Sequence, residues 1–149
     1  MKERFLTASA VMLIITRGGS DGEEILLQKR CGTGYRDGFY DLAVAGHVEK
    51  DEPLSAAMIR EAKEEIGIEL TPDELKFVCL IHKRSGGEVY FNSYFKLKAL
   101  SGTPQIMEKE KCAALEWHPI CRLPENIVED RPLAVECYLS GDRFKEYGW

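Results

Sequence analysis

Glu61, Glu64 and Glu65 fall within little more than one helical turn, beside Arg60 and Lys63, near the end of the stretch GHVEKDEPLSAAMIREAKEEIGI that runs from Gly46 to Ile68. At about 100° per residue the three carboxylates share an arc of roughly 100°. They border an apolar stripe of Leu54, Met58, Ala62 and Ile66 that must face a core. Glu65 points between Leu54 and Met58, so its carboxylate is expected at the core's edge. Such a placement is costly. Glu61 and Glu65 are like charges at i, i+4, worth a few tenths of a kcal/mol against the helix. Glu64 and Glu65 also sit at the negative end of the helix dipole, at roughly 0.3–1 kcal/mol each. Partial burial adds to this unless the charge is paired. Arg60 and Lys63 offset part of the cost, whereas a divalent cation would reverse its sign. Mg²⁺ suits such a site, since it takes hard oxygen ligands and is shared between carboxylates and phosphates. A solvated acidic helix face is the other reading of the same wheel.

The positioning elements follow from start and stop signals. Asp51 or Glu52 is placed to cap a helix whose first residue is Pro53, and Gly67 to end it. Upstream, the apolar run Ala8 to Thr16 and the run Glu24 to Arg30 flank a GGSDG turn, predicting a hairpin. A glycine-rich loop, Cys31 to Phe39, carries Tyr35 and Phe39, and Tyr40 to Val44 reads as a short strand leading to Gly46. Downstream, Ile68 to Leu70 has the look of a short strand, and Thr71-Pro-Asp-Glu of a helical turn. Phe77 to Lys83 and Val89 to Leu97 flank Ser85-Gly-Gly-Glu88, a second hairpin signal. Ser101 to Lys111 reads as a loop, Ala114 to His118 as a strand, and Arg131 to Leu139 as a helix stopped by Gly141. Hairpins mixed with helices predict an α+β or mixed α/β sandwich.

The 149 residues suit one domain with a sizeable core, and 44% hydrophobic with 30% charged residues suits a folded, soluble chain. A net charge of −5 argues against unaided binding of DNA or RNA. An anionic ligand would therefore need a metal or a local basic patch. The five cysteines are scattered without a CxxC pair, as expected of reduced thiols in a cytoplasmic protein. Lys2 and Arg4 precede an apolar stretch in the manner of a leader peptide. Thr7 and Ser9 interrupt that stretch and no small-x-small cleavage pattern follows, so a buried strand is expected. No run reaches the roughly 18 apolar residues of a membrane span.

The wider spacing separates the two readings of the acidic helix. Gly46, Glu52, Arg60-Glu61, Ala62, Glu64-Glu65, Gly67 and Ile68 match every fixed position of GX5EX7REUXEEXGU, where U is aliphatic. The stretch thus resembles the signature of the Nudix hydrolases, with Ala62 smaller than the usual residue at its position. The resemblance implies an α/β/α sandwich around a mixed sheet, with the signature forming a loop, a helix and a loop. It implies Mg²⁺- or Mn²⁺-dependent cleavage of a nucleoside diphosphate linked to another group. By the same resemblance Glu61, Glu64 and Glu65 would ligate the metal, with the backbone carbonyl of Ala45 completing its shell. Arg60 would hold the ligands, Glu52 would support, and Glu61 or Glu64 would act as general base.

More loosely, Thr33 to Glu49 and Glu108 to Trp117 resemble MutT-like nucleoside triphosphate pyrophosphohydrolases, although Val44 and Ala45 stand where Pro and Gly are common. This makes Glu108 a candidate to approach the metal or the base, with Glu110 behind it. His47, Lys29 and Arg30 become candidates for phosphate, and Tyr35, Phe39, Tyr90 and Phe91 for stacking on a base. The expected reaction converts a nucleoside triphosphate, ordinary or modified, to the monophosphate and pyrophosphate. Cleavage of ADP-ribose or another sugar nucleotide is the alternative within the family, and a non-catalytic nucleotide sensor the alternative outside it. Dimerisation is left open.

Overall fold

The computed structural model describes residues 2–149. Its elements in chain order are β1 (Ala8–Ile14), β2 (Thr16–Gly19), β3 (Gly22–Arg30), β4 (Tyr40–Leu42), β5 (Val44–His47), α1 (Leu54–Ile66), β6 (Leu75–Ser85), β7 (Glu88–Leu97), β8 (Cys112–Pro119), α2 (Arg131–Ser140) and β9 (Phe144–Tyr147). The run Ala10 to Ile15 is buried at every residue, as a strand covered on both faces must be. It lies inside a five-stranded mixed sheet of order β5-β1-β7-β6-β9, in which β1 runs parallel to β7 and β6 parallel to β9. A second, antiparallel sheet is built on β3, which pairs with β2, β4 and β8.

Alternate residues of β1 feed two separate cores. Val11 and Leu13 pack with Ala57, Met58, Ala62 and Ile66 of α1, while Met12 and Ile14 pack with Ala134, Val135 and Cys137 of α2. The helices thus cover opposite faces, giving the expected α/β/α sandwich. Complete burial of Met58 and Ile66 is worth about 1.5–3 kcal/mol each. That exceeds the dipole and like-charge penalties of the carboxylates on the same helix, so α1 tolerates them.

Several boundaries differ from the sequence reading. Helix α1 starts at Leu54 with Pro53 at the cap position and no side-chain cap. Asp51 instead adopts a left-handed φ of 60°, and the Glu52 carboxylate is already engaged by the Glu49 N–H and by Arg60. Leu54 is 38% exposed; the buried face of the helix is made by Ala57, Met58, Ala62 and Ile66 instead. The predicted strand Ala8 to Thr16 divides at Ile15, so that β1 joins one sheet and β2 the other. Tyr40 to Val44 divides at Ala43 in the same way, into β4 and β5. Ile68 to Leu70 forms no strand, although Ile68 and Leu70 are buried. Strand β9 is an addition: it pairs with β6 from Leu80 to Lys83. The second hairpin is as expected, with Gly86 at φ 58° and Gly87 at φ 81° in the turn between β6 and β7, the backbone that a two-residue type I′ turn demands. Among the described residues no helix is long and apolar enough to cross a membrane.

Candidate active site

Arg60 organises the outer end of the site. Its Nε donates to Glu52 Oε2 at 2.7 Å and its NH2 to Glu52 Oε1 at 3.0 Å, a two-pronged contact. NH2 also donates to the His47 carbonyl at 3.0 Å, tying the loop before α1 to the helix. The remaining nitrogen, NH1, donates to Glu61 Oε1 at 2.8 Å and Glu64 Oε2 at 3.3 Å. One guanidinium nitrogen therefore draws two carboxylates of the signature together. Hydrogen bonds from Arg60 first, then from the Glu49 N–H, hold the Glu52 carboxyl down at about 2, so it stays ionised as the anchor of Arg60.

Glu65 occupies the inner end. Its Oε2 accepts a hydrogen bond from the Ala45 N–H at 3.0 Å. Ala45 faces Met12 in the antiparallel pair of β5 and β1, and the hydrogen-bonded positions there are those of the Val48–Ser9 type. The N–H and C=O of Ala45 therefore both point off the free edge of β5, towards Glu65. At Gly46 a Cβ would collide with the carboxylate of Glu61. The signature glycine is thus the space in which that carboxylate sits. Burial pushes Glu65 up to about 9, aided by the charge of Glu61 and opposed by the Ala45 N–H. Burial also pushes Glu61 up, against the pull of Arg60.

Among the described residues no three His, Cys, Asp or Glu side chains already converge as a closed cage for a metal. The chemistry of the donors nonetheless fits a hard divalent cation. Two partly buried carboxylates repel one another, a strand-edge carbonyl lies beside them, and the one neighbouring guanidinium has its donors spoken for. A cation there would relieve what burial and repulsion impose.

Glu61 and Glu65 open on a pocket of about 860 Å³ that also takes in Ala45, Gly46, His47, Arg30, Tyr35 and Glu108 from the sequence-based candidates. Glu108 arrives there because the loop before β8 docks on the end of α1. The Gln105 N–H donates to the Ile66 carbonyl at 2.9 Å and the Met107 N–H to the Glu65 carbonyl at 3.2 Å. Gly67, at φ 71°, ends the helix and leaves room for Met107. Glu64 is 53% exposed and lies at the rim beside Arg60 rather than in the pocket wall. Phe39 and Lys29 do not line the pocket either: Phe39 sits against Arg36, and the Lys29 ammonium lies over the Tyr40 ring. Phe91 faces away and stacks on His82 at 4.6 Å.

The pocket floor holds a polar network that motif spacing did not disclose. Arg131 Nε donates to Asp41 Oδ1 at 2.7 Å, and its NH1 to Asp130 Oδ1 at 3.1 Å and to the Tyr94 hydroxyl at 3.0 Å. Lys83 Nζ lies 3.1 Å from Asp130 Oδ1, and Asn92 Nδ2 donates to Asp130 Oδ2 at 3.0 Å. Burial alone would raise the Asp130 carboxyl, but Arg131, Lys83 and the hydrogen bonds from Tyr94 and Asn92 outweigh it and hold it at about 2. Buried Gln28 lines the pocket with Glu65 and donates to the Leu42 carbonyl at 3.0 Å. The available signal was a polar residue continuing an apolar run at an inward position, as for Gln28 after Ile25 to Leu27, or Asn92 two residues before Tyr94.

A NUDIX domain model matches residues 6–136. The chain belongs to the Nudix family. It is 33% identical over 107 residues to a CTP pyrophosphohydrolase of Escherichia coli K12, covering 72% of each chain. Among solved structures, a MutT NUDIX hydrolase from Burkholderia pseudomallei superposes with a TM-score of 0.77 at 28% identity, over 89% of this chain and 98% of that one. The solution structure of the E. coli ORF135 protein superposes at 0.72 with 25% identity, over 90% and 89%. The protein is thus a MutT-like Nudix pyrophosphohydrolase, an enzyme of a family that generally uses divalent metals.

Proposed function

We propose that the protein hydrolyses a nucleoside triphosphate, ordinary or modified, to the monophosphate and pyrophosphate, with Mg²⁺ or Mn²⁺ as the cation. The observation that carries this reading is the pairing of Glu61 and Glu65, both pushed up by burial, at one end of a pocket large enough for a nucleotide. The name of the E. coli relative, a CTP pyrophosphohydrolase, supports a triphosphate over a sugar nucleotide.

In this reading Glu61, Glu64, Glu65 and the Ala45 carbonyl hold the cation, and Arg60, anchored by Glu52, keeps Glu61 and Glu64 aimed at it. A bound divalent cation shields phosphate charge and lowers the pKa of a coordinated water. Glu61 or Glu64 takes the proton from the attacking water. One water adds across the bond between the α- and β-phosphates, so the products are a monophosphate and pyrophosphate. Arg30 and His47, both in the pocket wall, meet the phosphates, and Glu108 approaches the cation from the loop before β8. Gly46 and Gly67 supply the space and the helix end that this geometry needs.

The test is ³¹P NMR product analysis over a panel of nucleoside triphosphates, ADP-ribose and dinucleoside polyphosphates, with and without Mg²⁺ or Mn²⁺. Monophosphate and pyrophosphate from a triphosphate, only when metal is present, is the expected result. Turnover confined to ADP-ribose would transfer the assignment to sugar nucleotides, and no turnover of any substrate would end the catalytic reading.

A further inference from the structure

Resting on the triphosphate reading above, we infer that Lys83 and Asn92 form the subsite that selects the base, and that the base they select is cytosine. Both residues lie on the inward face of the five-stranded sheet. In the β6–β7 register Ile81 faces Asn92 and Lys83 faces Tyr90, so Lys83 and Asn92 are diagonal neighbours. Buried Asp130 holds both, one on each oxygen: Lys83 Nζ at 3.1 Å from Oδ1 and Asn92 Nδ2 at 3.0 Å from Oδ2. A single carboxylate therefore fixes the spacing of two pocket-lining polar groups.

It also fixes their polarity. The amide of Asn92 must turn its NH₂ to the carboxylate, because two acceptors would repel. Its Oδ1 is left facing away; among the described residues it accepts no hydrogen bond, yet it is not sealed from solvent. Lys83 has three N–H donors and its carboxylate partners are Asp130, with Glu129 at 3.9 Å, so at least one donor remains for the pocket. The floor thus offers an acceptor beside a cationic donor. The complementary base edge has an amino donor beside a ring acceptor.

Cytosine presents that edge, with its N4 amino group towards Asn92 Oδ1 and N3 and O2 towards the Lys83 ammonium. Uracil presents O4 and N3–H in those places, which sets acceptor against acceptor and a donor against a cation. Guanine, with O6 and N1–H, repeats the mismatch. Adenine shares the amino group and one ring acceptor but carries C2–H where cytosine has O2, so the ammonium gains one acceptor instead of two. Tyr90, opposite Lys83 on the same face, supplies a ring for the base to pack on. The distance is also right for a nucleotide. Strands stand about 4.8 Å apart, so Asn92, two strands from β5, lies about 10 Å from the strand that meets the glutamates. Sugar and phosphates fill the interval.

The experiment compares kcat/KM for CTP, UTP, ATP and GTP in the wild type, Lys83→Met and Lys83→Arg, with Mg²⁺. The wild type should favour CTP over UTP and GTP at least tenfold, and over ATP by less. Lys83→Met should bring CTP and UTP within about twofold of each other, mainly through a higher KM for CTP, and Lys83→Arg should restore part of the preference. Because losing Lys83 also strips a partner from Asp130, inhibition of the wild type by CMP and UMP serves as a check that needs no variant; CMP should bind about tenfold tighter. Equal inhibition by the two, or a Lys83→Met loss shared equally by all four substrates, would overturn the inference. Metal-dependent turnover of all four with equal efficiency would do so too while leaving the triphosphate reading intact. Absence of any turnover would bring down that reading as well.

Discussion

Two clusters of charge meet in the pocket and are built on opposite terms. On the floor, Asp41, Asp130, Arg131 and Lys83 answer one another within 3.4 Å, and Asp130 is held at about 2 although it is buried. At the other end, Glu61 and Glu65 are both raised, Glu65 to about 9, because Arg60 is shared among Glu52, Glu61 and Glu64 and does not reach Glu65. The first cluster is closed: its charges cancel internally, and it is architecture with a face towards the ligand. The second is open: among the described residues no cation of the chain reaches Glu65, and burial raises both carboxyls, an imbalance that a bound divalent cation would reverse. The floor is the more deeply buried of the two, with Asp41 and Asp130 almost wholly covered and Glu61 and Glu65 only partly so. The difference that separates framework from reactive site is whether each charge already has its partner.

If the floor is closed, breaking it costs folding stability more than chemistry. Arg131→Met should destabilise the protein by about 3–5 kcal/mol, since it leaves Asp41 and Asp130 buried without their main partner, as read by urea denaturation. The open cluster should respond in the reverse sense. Glu61→Gln should lower metal-dependent kcat at least about 100-fold, while its melting temperature stays within a few degrees of the wild type. An equal stability loss in both variants would erase the distinction.

Titration sharpens the same contrast. A folded pKa of about 2 for Asp130, against an unfolded value of about 3.9, contributes stability above pH 4 that is lost as pH falls towards 2, about 2.6 kcal/mol in all. Carboxyl-carbon NMR should show the Asp130 midpoint near 2. The sign is opposite for Glu65: a raised folded pKa means that metal-free stability declines as pH rises from the unfolded value towards 9. Glu65→Gln, whose amide oxygen can still accept from the Ala45 N–H, should therefore stabilise the metal-free protein at pH 7, by up to about 3.5 kcal/mol. Calorimetric melts at pH 5 and pH 8 should show the gain growing with pH.

The open cluster was legible in the sequence because it is local. Its residues lie on one helix, Gly67 ends that helix where expected, and the wheel placed Glu65 at the core's edge. The Gly86-Gly87 hairpin and α2 were legible for the same reason. What the sequence did not reveal depends on long-range pairing. Nothing near Ile15 or Ala43 announces that the chain leaves one sheet for the other, and β9 is a strand only because β6 offers it an edge. The floor is the extreme case. Lys83, Asn92 and Asp130 come from three elements, and only the β6–β7 register and the docking of α2 bring them together. Glu64, Phe39 and Lys29 show the converse: a motif or a neighbourhood in sequence does not say which side chains line the pocket.

In the proposed function Glu61 and Glu65 await a divalent cation. The direct measurement is Mn²⁺ binding to metal-free protein, followed by loss of the free-ion EPR signal, in the wild type and in Glu65→Gln. The wild type should bind Mn²⁺ and the variant should bind it at least tenfold more weakly, with the fold retained. Equal affinity in the two proteins would contradict the claim and return Glu65 to the role of a buried acid that serves only the packing of α1.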